Sequence, residues 1–464
     1  MNEKLFLYYT NDLHSHFENF PQIIGHFKEE GLIRKRNNQS YWFIDIGDHV
    51  DRSHPIAEAM KGKANVELLN DSDFDLATVG NNEGITLDYE DLYHLYDHAD
   101  FQLVCANLTS MEGSQPSWLK PTAHVTSIQG VKVGFIGLTA PFNDFYNLLG
   151  WNVDAPFAVL DRYLPALAEE SDIVVLLSHL GISDDEEIAR RYQDIDVIIG
   201  GHTHHLFRDG EYINNTLLTA AGKHGKYVGE VILTWDHQQN KLLNKEAYAI
   251  ATENFPKDVE TEAKLAGYAL QAKQKLDQTV VTLDQSLEFG WFKETPIMKK
   301  LVETLKDWTA ADCAMLNAGV LLDRFDKGNV TLGDIHRICP HPINPCLVSL
   351  NGDELMEVIR MSITKQFTEL KLKGFGFRGE VLGRMVFSGA KVEIEKQSEG
   401  QERVVSVQIN GVPLDMEKEY TVATADTFTF GRLLPEIAKS ETKQFFMPEF
   451  LRDLLAETLK KNFQ

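Results

Sequence analysis

Short apolar runs rich in β-branched residues alternate with amphipathic stretches through the first half of the chain. Runs of this length and composition predict buried strands. A stripe of apolar positions along 156–170 predicts a helix that covers the sheet, and 131–138 predicts a further buried strand. The alternation predicts a layered α/β domain. Five of the runs lead directly into polar residues: 4–9, 41–46, 75–79, 173–177 and 196–199.

The second half of the chain has a different pattern. Residues 257–275 predict a solvent-exposed connecting helix, 296–308 predict a second helix, and 391–395 with 404–409 predict strands of a hairpin. Asn410-Gly411 then gives a turn signal. A chain of 464 residues is too long for one ordinary domain. We therefore expect one domain over 1–250, a helical linker over 251–284 and a second domain over 285–464.

Polar side chains follow each of the five predicted strands. Open α/β sheets gather their ligands at the carboxyl ends of the strands. Asp, Asn and His are residue types that hold divalent cations. A single Asp-x-His or Gly-Asp after a strand is usually a turn, but five such elements in order rarely arise by chance. The predicted metal ligands are Asp12, His14, Asp48, Asn81, His179, His202 and His204.

The number of ligands suits two adjacent cations. The expected sets are Asp12, His14, Asp48 and His204 around one ion, and Asp48, Asn81, His179 and His202 around the other. Two cations about 3.5–4 Å apart are an arrangement that suits phosphoryl transfer. The mixed ligands suit Mn²⁺, Zn²⁺ or Fe²⁺, and the sequence does not choose between them. We expect the neighbouring His16, His49 and His205 to lie beside the ligands rather than on a metal.

The charge excludes some partners. With 45 basic and 69 acidic residues the net charge is −24, which argues against a general binder of nucleic-acid polymers or anionic membranes. The sequence has no signal peptide pattern and no apolar run long enough to span a bilayer, so we expect a cytoplasmic protein. The four cysteines lack metal or disulfide spacing, and reduced thiols are expected, although Cys339 and Cys346 leave one pairing open. The oligomeric state stays open.

The opening Thr10-Asn11-Asp12-Leu13-His14, taken with the later ligand blocks, resembles the calcineurin-like metallophosphatases. More narrowly the chain resembles the bacterial 5′-nucleotidase and 2′,3′-cyclic phosphodiesterase family, which includes UDP-sugar hydrolases. Residues 316–319, 330–335 and 340–355 extend the resemblance into the second half. It implies a four-layer metallophosphatase sandwich, a hinged helical linker, and a C-terminal α+β substrate-binding domain that holds the nucleoside.

The resemblance also implies substrate contacts in the second domain. Asn317 lies in the family's Asn-rich block, and two aromatic loops could supply a clamp whose stacking on a base is worth ~1–3 kcal/mol. Core packing of the same rings is the alternative. A guanidinium suits phosphate, although both nearby arginines could equally be surface residues. The predicted substrate-binding residues are Asn317, Phe375, Phe377, Arg378, Arg384, Phe428 and Phe430.

The third ligand block departs from the family pattern. Asn82 stands where the family has His, and Ile85 stands where it has the Asp that pairs with that His. An amide can donate to a phosphoryl oxygen but cannot act as a general acid, a role worth ~10²–10⁴-fold. Asn82 is therefore expected to be a catalytic residue that stabilises charge, in an enzyme biased towards activated leaving groups.

These observations favour a two-metal phosphoesterase that hydrolyses nucleotides. Nucleoside 5′-monophosphates are the first expected substrates. A 2′,3′-cyclic nucleotide phosphodiesterase or a UDP-sugar pyrophosphatase is the alternative, favoured by the missing His. A hypothesis of another class is a catalytically weak module that binds nucleotide and metal, and the substitutions at Asn82 and Ile85 motivate it.

Overall fold

The computed structural model divides into two compact units, Met1–Ala272 and Lys273–Gln464, called unit 1 and unit 2 below. It describes residues 2–396, 402–431 and 433–463. The division falls inside one helix, Val259–Leu276, close to the predicted connecting helix. In the described part of the chain, no helix has both the length and the apolar composition needed to cross a membrane.

Unit 1 contains two large sheets with helices on their outer faces. Its strands are β1 (Asn2–Thr10), β2 (Ser40–Asp45), β3 (Leu76–Ala77), β4 (Gln102–Val104), β5 (Leu108–Ser110), β6 (Leu119–Lys120), β7 (Thr122–Thr126), β8 (Lys132–Thr139), β9 (Trp151–Val153), β10 (Ile173–His179), β11 (Val197–Gly200), β12 (Glu211–Ile213), β13 (Thr216–Thr219), β14 (Tyr227–Asp236) and β15 (Lys241–Ala251). Its helices are α1 (Phe20–Arg36), α2 (Pro55–Met60), α3 (Lys63–Asn70), α4 (Asn81–Thr86), α5 (Tyr89–Tyr93), α6 (Asn143–Tyr146), α7 (Pro156–Glu170), α8 (Ile182–Arg191) and α9 (Val259–Leu276), with a 3₁₀ turn at Asn147–Leu149.

The first sheet has seven strands in the order β15-β14-β1-β2-β3-β4-β6, and the second has six in the order β12-β13-β11-β10-β8-β7. Strands β1, β2 and β3 are parallel neighbours, and so are β8, β10 and β11. Parallel neighbours end at the same edge of a sheet, so residues that follow these strands are brought together. Short strands β5 and β9 pair separately.

Apolar side chains hold the two sheets face to face. Leu7 and Ile44 from the first sheet and Val175 and Ile199 from the second belong to one buried cluster. The outer face of the second sheet packs on α7 and α8 in a second buried cluster. Phe27 of α1 stacks on Phe43 of the first sheet, with ring centroids 4.8 Å apart. The layers therefore run helix, sheet, sheet, helix, and the predicted four-layer sandwich is confirmed.

Unit 2 is an α+β domain, as predicted. Its strands are β16 (Thr279–Leu283), β17 (Cys313–Asn317), β18 (Gly328–Thr331), β19 (Pro345–Asn351), β20 (Met385–Ser388), β21 (Ala390–Lys396), β22 (Glu402–Ile409), β23 (Val412–Pro413), β24 (Glu419–Ala425) and β25 (Lys443–Phe445). Its helices are α10 (Pro296–Thr309), α11 (Leu332–Ile338), α12 (Gly352–Ser362), α13 (Lys365–Thr368), α14 (Pro435–Lys439) and α15 (Leu451–Asn462), with 3₁₀ turns at Ala318–Val320 and Asp426–Thr429.

The main sheet of unit 2 has the order β20-β17-β24-β19-β25, and α10 packs on β17, β20 and α15. Strands β21 and β22 pair antiparallel and confirm the predicted hairpin strands, and the predicted turn at Asn410-Gly411 joins β22 to β23. Both turn residues have positive φ, 50° and 83°, as a two-residue hairpin turn of this kind requires. Local sequence is therefore sufficient to specify this turn.

All four cysteines are free and buried, which confirms the expectation of reduced thiols. Burial raises the pKa of Cys105, Cys313 and Cys339 to about 12. Thiols with such pKa values are poor nucleophiles near neutral pH.

Candidate metal centre

The predicted ligands lie just beyond five strand ends in unit 1. Asp12 and His14 follow β1, Asp48 follows β2, and Asn81 opens α4 shortly after β3. On the other sheet, His179 is the last residue of β10, and His202 and His204 follow β11. The third predicted strand is shorter than expected, because only Leu76–Ala77 pairs before the chain turns into α4. The structure thus gathers all seven predicted ligands in one unit.

The ligand loops have a strained backbone. Five of the seven ligands have positive φ, a conformation that residues other than glycine rarely adopt. Strain of this kind costs about 1–3 kcal/mol per residue and concentrates at functional sites. The backbone N–H of Asp12 donates to the Gly47 carbonyl at 3.1 Å, and that of His14 donates to the Asp48 carbonyl at 2.8 Å. These hydrogen bonds hold the two loops together. The five are Asp12 (50°), His14 (50°), Asp48 (49°), His202 (69°) and His204 (58°).

Asp12, His14 and His204 form a first ligand group. Their ligand atoms all lie within 4.8 Å of one another. His14 Nε2 is 3.2 Å from His204 Nε2, and Asp12 Oδ1 is 3.4 Å from His204 Nε2 and 3.8 Å from His14 Nε2. Three neutral or anionic donors converging at these distances can hold one divalent cation.

Asp12, Asp48 and His179 form a second group. His179 Nε2 lies 3.2 Å from Asp48 Oδ1 and 3.9 Å from Asp12 Oδ1. Its other nitrogen, Nδ1, donates to the Ile46 carbonyl at 2.7 Å, which turns Nε2 towards the carboxylates. Nε2 is buried and has no hydrogen-bond partner in the described part of the chain. A buried lone pair aimed at two carboxylates fits a cation between them.

Asn81 and His202 lie together beside the second group. His202 Nδ1 donates to Asn81 Oδ1 at 2.7 Å, and the His202 and His179 ring centroids are 5.6 Å apart. The expected sets shared Asp48, whereas the two groups seen here share Asp12. Asp48 nevertheless contacts both groups, since its Oδ2 is also 3.6 Å from His14 Nε2.

Buried carboxyl groups are concentrated around this centre. Burial raises the pKa of Asp45 to about 8 and that of Glu83 to about 7. Burial also acts to raise the pKa values of Asp12 and Asp48, but the neighbouring histidines outweigh it and lower both. Carboxylates that stay ionised in a buried site require nearby positive charge. The donor set and its charge therefore fit divalent cations.

Glu83 is a structural residue of the centre that the sequence reasoning missed. Its carboxylate accepts backbone N–H groups from Asp48 at 3.0 Å, Val50 at 2.8 Å and Gly80 at 3.0 Å. It thereby joins the loops that carry Asp48 and Asn81. Its position was detectable, because an acidic residue at the third position of a helix is a known capping signal.

Asn82, predicted to be a catalytic residue, lies against two of the predicted ligands. Its side chain is nearly buried, and its Nδ2 lies 2.8 Å from His14 Nδ1 and 3.3 Å from the Val50 carbonyl. Its backbone N–H donates to Asp48 Oδ1 at 2.7 Å. The side-chain nitrogen of Asn82 thus contacts His14 and Val50. It is the same nitrogen that the prediction assigns to a phosphoryl oxygen. Asn82 here links two predicted metal ligands, His14 and Asp48, and its catalytic role stays a prediction.

The three neighbouring histidines have different environments. His49 is buried, bonds to Asn65, and has its pKa lowered by burial to about 3. His205 is exposed and lies 2.9 Å from Thr203 Oγ1. His16 pairs with Glu18 at 2.7 Å and stacks on His224 at 3.7 Å between ring centroids. Among the described residues, none of the three belongs to either candidate ligand group.

Three residues predicted to bind substrate are buried inside unit 2. Phe428 is completely buried, and Phe377 is buried with its ring stacked on His341 at 5.1 Å. This burial favours the alternative of core packing for Phe377 and Phe428, and their contact with a base stays a prediction. Asn317 is also buried, and its amide donates to the Leu382 carbonyl at 2.8 Å. Through this hydrogen bond, Asn317 fixes the segment of unit 2 that contains Leu382.

Phe375 and Phe430 form an aromatic pair at the surface of unit 2. Their rings are nearly parallel, at 13°, with centroids 6.0 Å apart. Phe375 is 48% exposed and has a φ of 52°, between two glycines that also have positive φ. This backbone holds the ring clear of the core. These are the two predicted clamp residues whose rings remain accessible.

The two predicted arginines lie in separate places. Arg378 donates to the Phe377 carbonyl at 3.3 Å. Arg384 is half-buried, with Glu294 at 3.8 Å and Glu402 at 3.9 Å, and it lines a cavity of about 660 Å³. The cavity lining does not include Phe375 or Phe430. The structure therefore does not bring all the predicted substrate residues into one pocket.

A buried carboxylate of unit 2 gives a pH-dependent prediction. Burial raises the pKa of Asp426 to about 7, although it accepts the backbone N–H of Asn344 at 3.1 Å. The unfolded value is about 4, so the folded state holds the extra proton between these values and stability falls as pH rises from about 4 to 7. Asp426→Asn keeps the acceptor without the charge. We expect thermal unfolding to show the wild type losing stability relative to this variant between about pH 4 and 7; a constant difference would contradict the prediction.

Comparison with known proteins places this centre in a family. A family model described as calcineurin-like phosphoesterase matches residues 7–206, and one described as 5′-nucleotidase, C-terminal domain matches residues 275–432. The chain belongs to the metallophosphoesterases that combine these two domains, and it is a phosphoric ester hydrolase. Enzymes of this class use divalent metal ions, and the 5′-nucleotidase family acts on small nucleotides.

Individual relatives agree with this assignment. The protein named "Uncharacterized metallophosphoesterase YunD" of Bacillus subtilis (strain 168) is 43% identical over 461 residues, which cover 98% of this chain and 99% of that protein. Among solved structures, a 5′-nucleotidase precursor from Thermus thermophilus has a TM-score of 0.61 at 21% identity, covering 98% and 96% of the two chains. The NAD nucleotidase of Haemophilus influenzae has a TM-score of 0.68 at 18% identity, covering 99% and 96%. The two structures support the fold alone.

Proposed function

We propose that this protein is a nucleoside 5′-monophosphate phosphatase with two divalent cations at its centre. The observation that carries the choice of substrate is the surface pair Phe375 and Phe430 in unit 2. Nearly parallel accessible rings offer stacking surface to any nucleobase, which an enzyme for simple phosphate esters would not need. The match of residues 275–432 to the 5′-nucleotidase C-terminal domain supports the same substrate class.

Unit 1 provides the chemistry in this proposal. Divalent cations held by such ligands supply Lewis-acid stabilisation of phosphoryl oxygens. Asp12 and Asp48 contribute the negative charge that retains the cations, and both contact histidines of the two groups. The Ile46 carbonyl fixes the direction of His179, and Glu83 fixes the loops of Asp48 and Asn81. These hydrogen bonds therefore set the ligand geometry before substrate arrives.

A second candidate is a phosphodiesterase or pyrophosphatase acting on cyclic nucleotides or UDP-sugars. The observation in its favour is Asn82, whose amide nitrogen lies against His14 and Val50, in a block with Ile85 in place of an acid. General acid assistance is worth ~10²–10⁴-fold, and its loss matters least for good leaving groups. On this basis we propose that activated phosphoesters react faster than simple alkyl monoesters.

The test is hydrolysis of a panel in the presence of Mn²⁺. The panel contains AMP, UMP, UDP-glucose, 2′,3′-cyclic AMP and an aryl phosphodiester. Phosphate release from the monophosphates alone would support the first candidate. Turnover confined to diesters or pyrophosphates would establish the second. Absence of turnover in protein shown to bind two Mn²⁺ ions would overturn both and leave a nucleotide-binding module.

The aromatic pair gives a separate prediction. Phe375→Ala removes one stacking face, and because stacking is worth ~1–3 kcal/mol per base, we expect KM for AMP to rise roughly 5- to 150-fold. Hydrolysis of an aryl phosphate should change little. Steady-state kinetics on both substrates measures the difference.

Val405→Ala is the matched control, since Val405 is an exposed apolar residue of unit 2 on strand β22. It should leave both KM values unchanged. Equal changes in KM for AMP and for the aryl phosphate in Phe375→Ala would show that Phe375 does not contact the base.

A further inference from the structure

The His14 ring has different neighbours at its two nitrogens. Nε2 faces the ligand atoms of Asp12, Asp48 and His204. Nδ1 points the other way and lies 3.3 Å from Asp51 Oδ2. A neutral imidazole can offer its Nε2 lone pair to a cation only when the ring proton sits on Nδ1. A group that accepts a hydrogen bond from Nδ1–H therefore favours metal binding at Nε2.

Asp51 is held so that one oxygen faces this nitrogen. The residue is buried, and its backbone N–H donates to Ser15 Oγ at 2.9 Å. The backbone N–H of Ser53 donates to Asp51 Oδ1 at 2.8 Å, which leaves Oδ2 directed at His14. Asn65 Nδ2 in turn donates to Ser15 Oγ at 3.1 Å. The carboxylate thus has a fixed orientation that does not depend on the ligands.

Asn82 approaches the same nitrogen with the opposite preference. Its Nδ2 lies 2.8 Å from His14 Nδ1, and the Val50 carbonyl at 3.3 Å accepts from the same amide. An amide N–H donated to Nδ1 favours the ring proton on Nε2, where it would block a cation. The two neighbours of Nδ1 therefore favour opposite tautomers, and the charged acceptor makes the stronger hydrogen bond.

We propose that Asp51 is a positioning residue for the metal centre. It accepts a hydrogen bond from the Nδ1–H of His14, keeps the proton on Nδ1 and so presents the Nε2 lone pair to the cation of the Asp12, His14 and His204 group. Carboxylates that accept from a metal-binding histidine are a general device for fixing its tautomer and orientation. The inference concerns metal binding and is independent of which phosphoester the enzyme hydrolyses.

Manganese affinity tests the proposal without any activity assay. In protein stripped of metal with a chelator, isothermal titration with Mn²⁺ should show two sites in the wild type. In Asp51→Asn, we expect one site to weaken by about 10- to 100-fold, the usual effect of removing such a partner. The Mn²⁺ affinity of the other site should stay within about threefold of the wild-type value. Equal affinities of wild type and Asp51→Asn would overturn the proposal.

Asp97→Asn is the matched control. Asp97 also contacts a histidine Nδ1, with its Oδ2 2.6 Å from His94, but this pair is exposed and no member belongs to a ligand group. Its removal should leave both Mn²⁺ affinities unchanged. A loss in Asp97→Asn equal to that in Asp51→Asn would show that the effect is not specific to His14, and would overturn the proposal.

The His14 tautomer gives a readout that a purely structural role would not change. With ¹⁵N-labelled histidine and assignment by His14→Gln, the wild type loaded with Zn²⁺ should have its His14 proton on Nδ1. In metal-free Asp51→Asn, we expect the His14 ring proton to lie more on Nε2 and less on Nδ1. A proton on Nε2 in the Zn²⁺-loaded wild type would overturn the proposal even if the variant fails to fold.

Discussion

Asp48→Asn is expected to lower the hydrolysis rate by at least about 100-fold, the upper end of what loss of an outer partner of a metal ligand costs. Asp48 is buried and lies within 3.6 Å of ligand nitrogens from both groups, His14 and His179. The substitution removes one of the two carboxylates that retain the cations. It also leaves the buried Nε2 of His179 without its nearest negative charge. The rate should be measured on the best substrate of the panel, and metal content by elemental analysis.

Asp161→Asn is the control for this experiment. Asp161 is an exposed carboxylate of unit 1 that pairs with Arg191, so its loss should change neither rate nor metal content. If Asp48→Asn retained two metals and near-normal rates, the centre would not depend on the residue that contacts both ligand groups. In that case the proposed two-cation chemistry would be wrong.

Gly80→Ala is expected to damage both the metal centre and the stability of unit 1. A Cβ at Gly80 would overlap the backbone nitrogen and Oδ1 of Asp48, and one at Gly47 would overlap the backbone of Gly80. The two ligand turns pack too closely for any side chain. Overpacking typically costs about 1–3 kcal/mol, and relief here requires moving a ligand. We expect a lower unfolding midpoint together with reduced Mn²⁺ affinity and rate.

Gly267→Ala is the matched control for the same substitution. Gly267 lies in the exposed helix α9, and a Cβ there meets nothing within 4 Å. In a helix interior, Ala is favoured over Gly by about 1 kcal/mol, so this variant should be as stable as the wild type or more so. Normal Mn²⁺ affinity in Gly80→Ala would show that the packing of the two turns does not position Asp48.

Much of unit 1 followed from local pattern. The predicted helix over 156–170 coincides with α7, and each of the five apolar runs contains a strand. Apolar content and β-branched composition suffice here because the sheets are buried on both faces. The position of polar residues after these strands then implied a shared edge, since parallel strands end together.

Other features depended on contacts between distant segments. Local sequence did not distinguish Phe375 and Phe430, which are accessible, from Phe377 and Phe428, which are buried. All four stand in short segments rich in glycine and aromatic residues, so periodicity carries no signal. The direction of the Asn82 side chain was also beyond the sequence, because it depends on where His14 and Val50 lie.

The sequence alone predicts the two-domain α/β and α+β architecture, the five strand ends and the ligand-type residues that follow them. Periodic burial and turn chemistry act over a few neighbouring residues, and a sequence displays them directly. Three relations emerged only from the packed fold: Asp12 is shared by both ligand groups, Glu83 ties two ligand loops, and Asp51 faces His14. These relations join segments on different strands, and their distances follow from how the sheets pack.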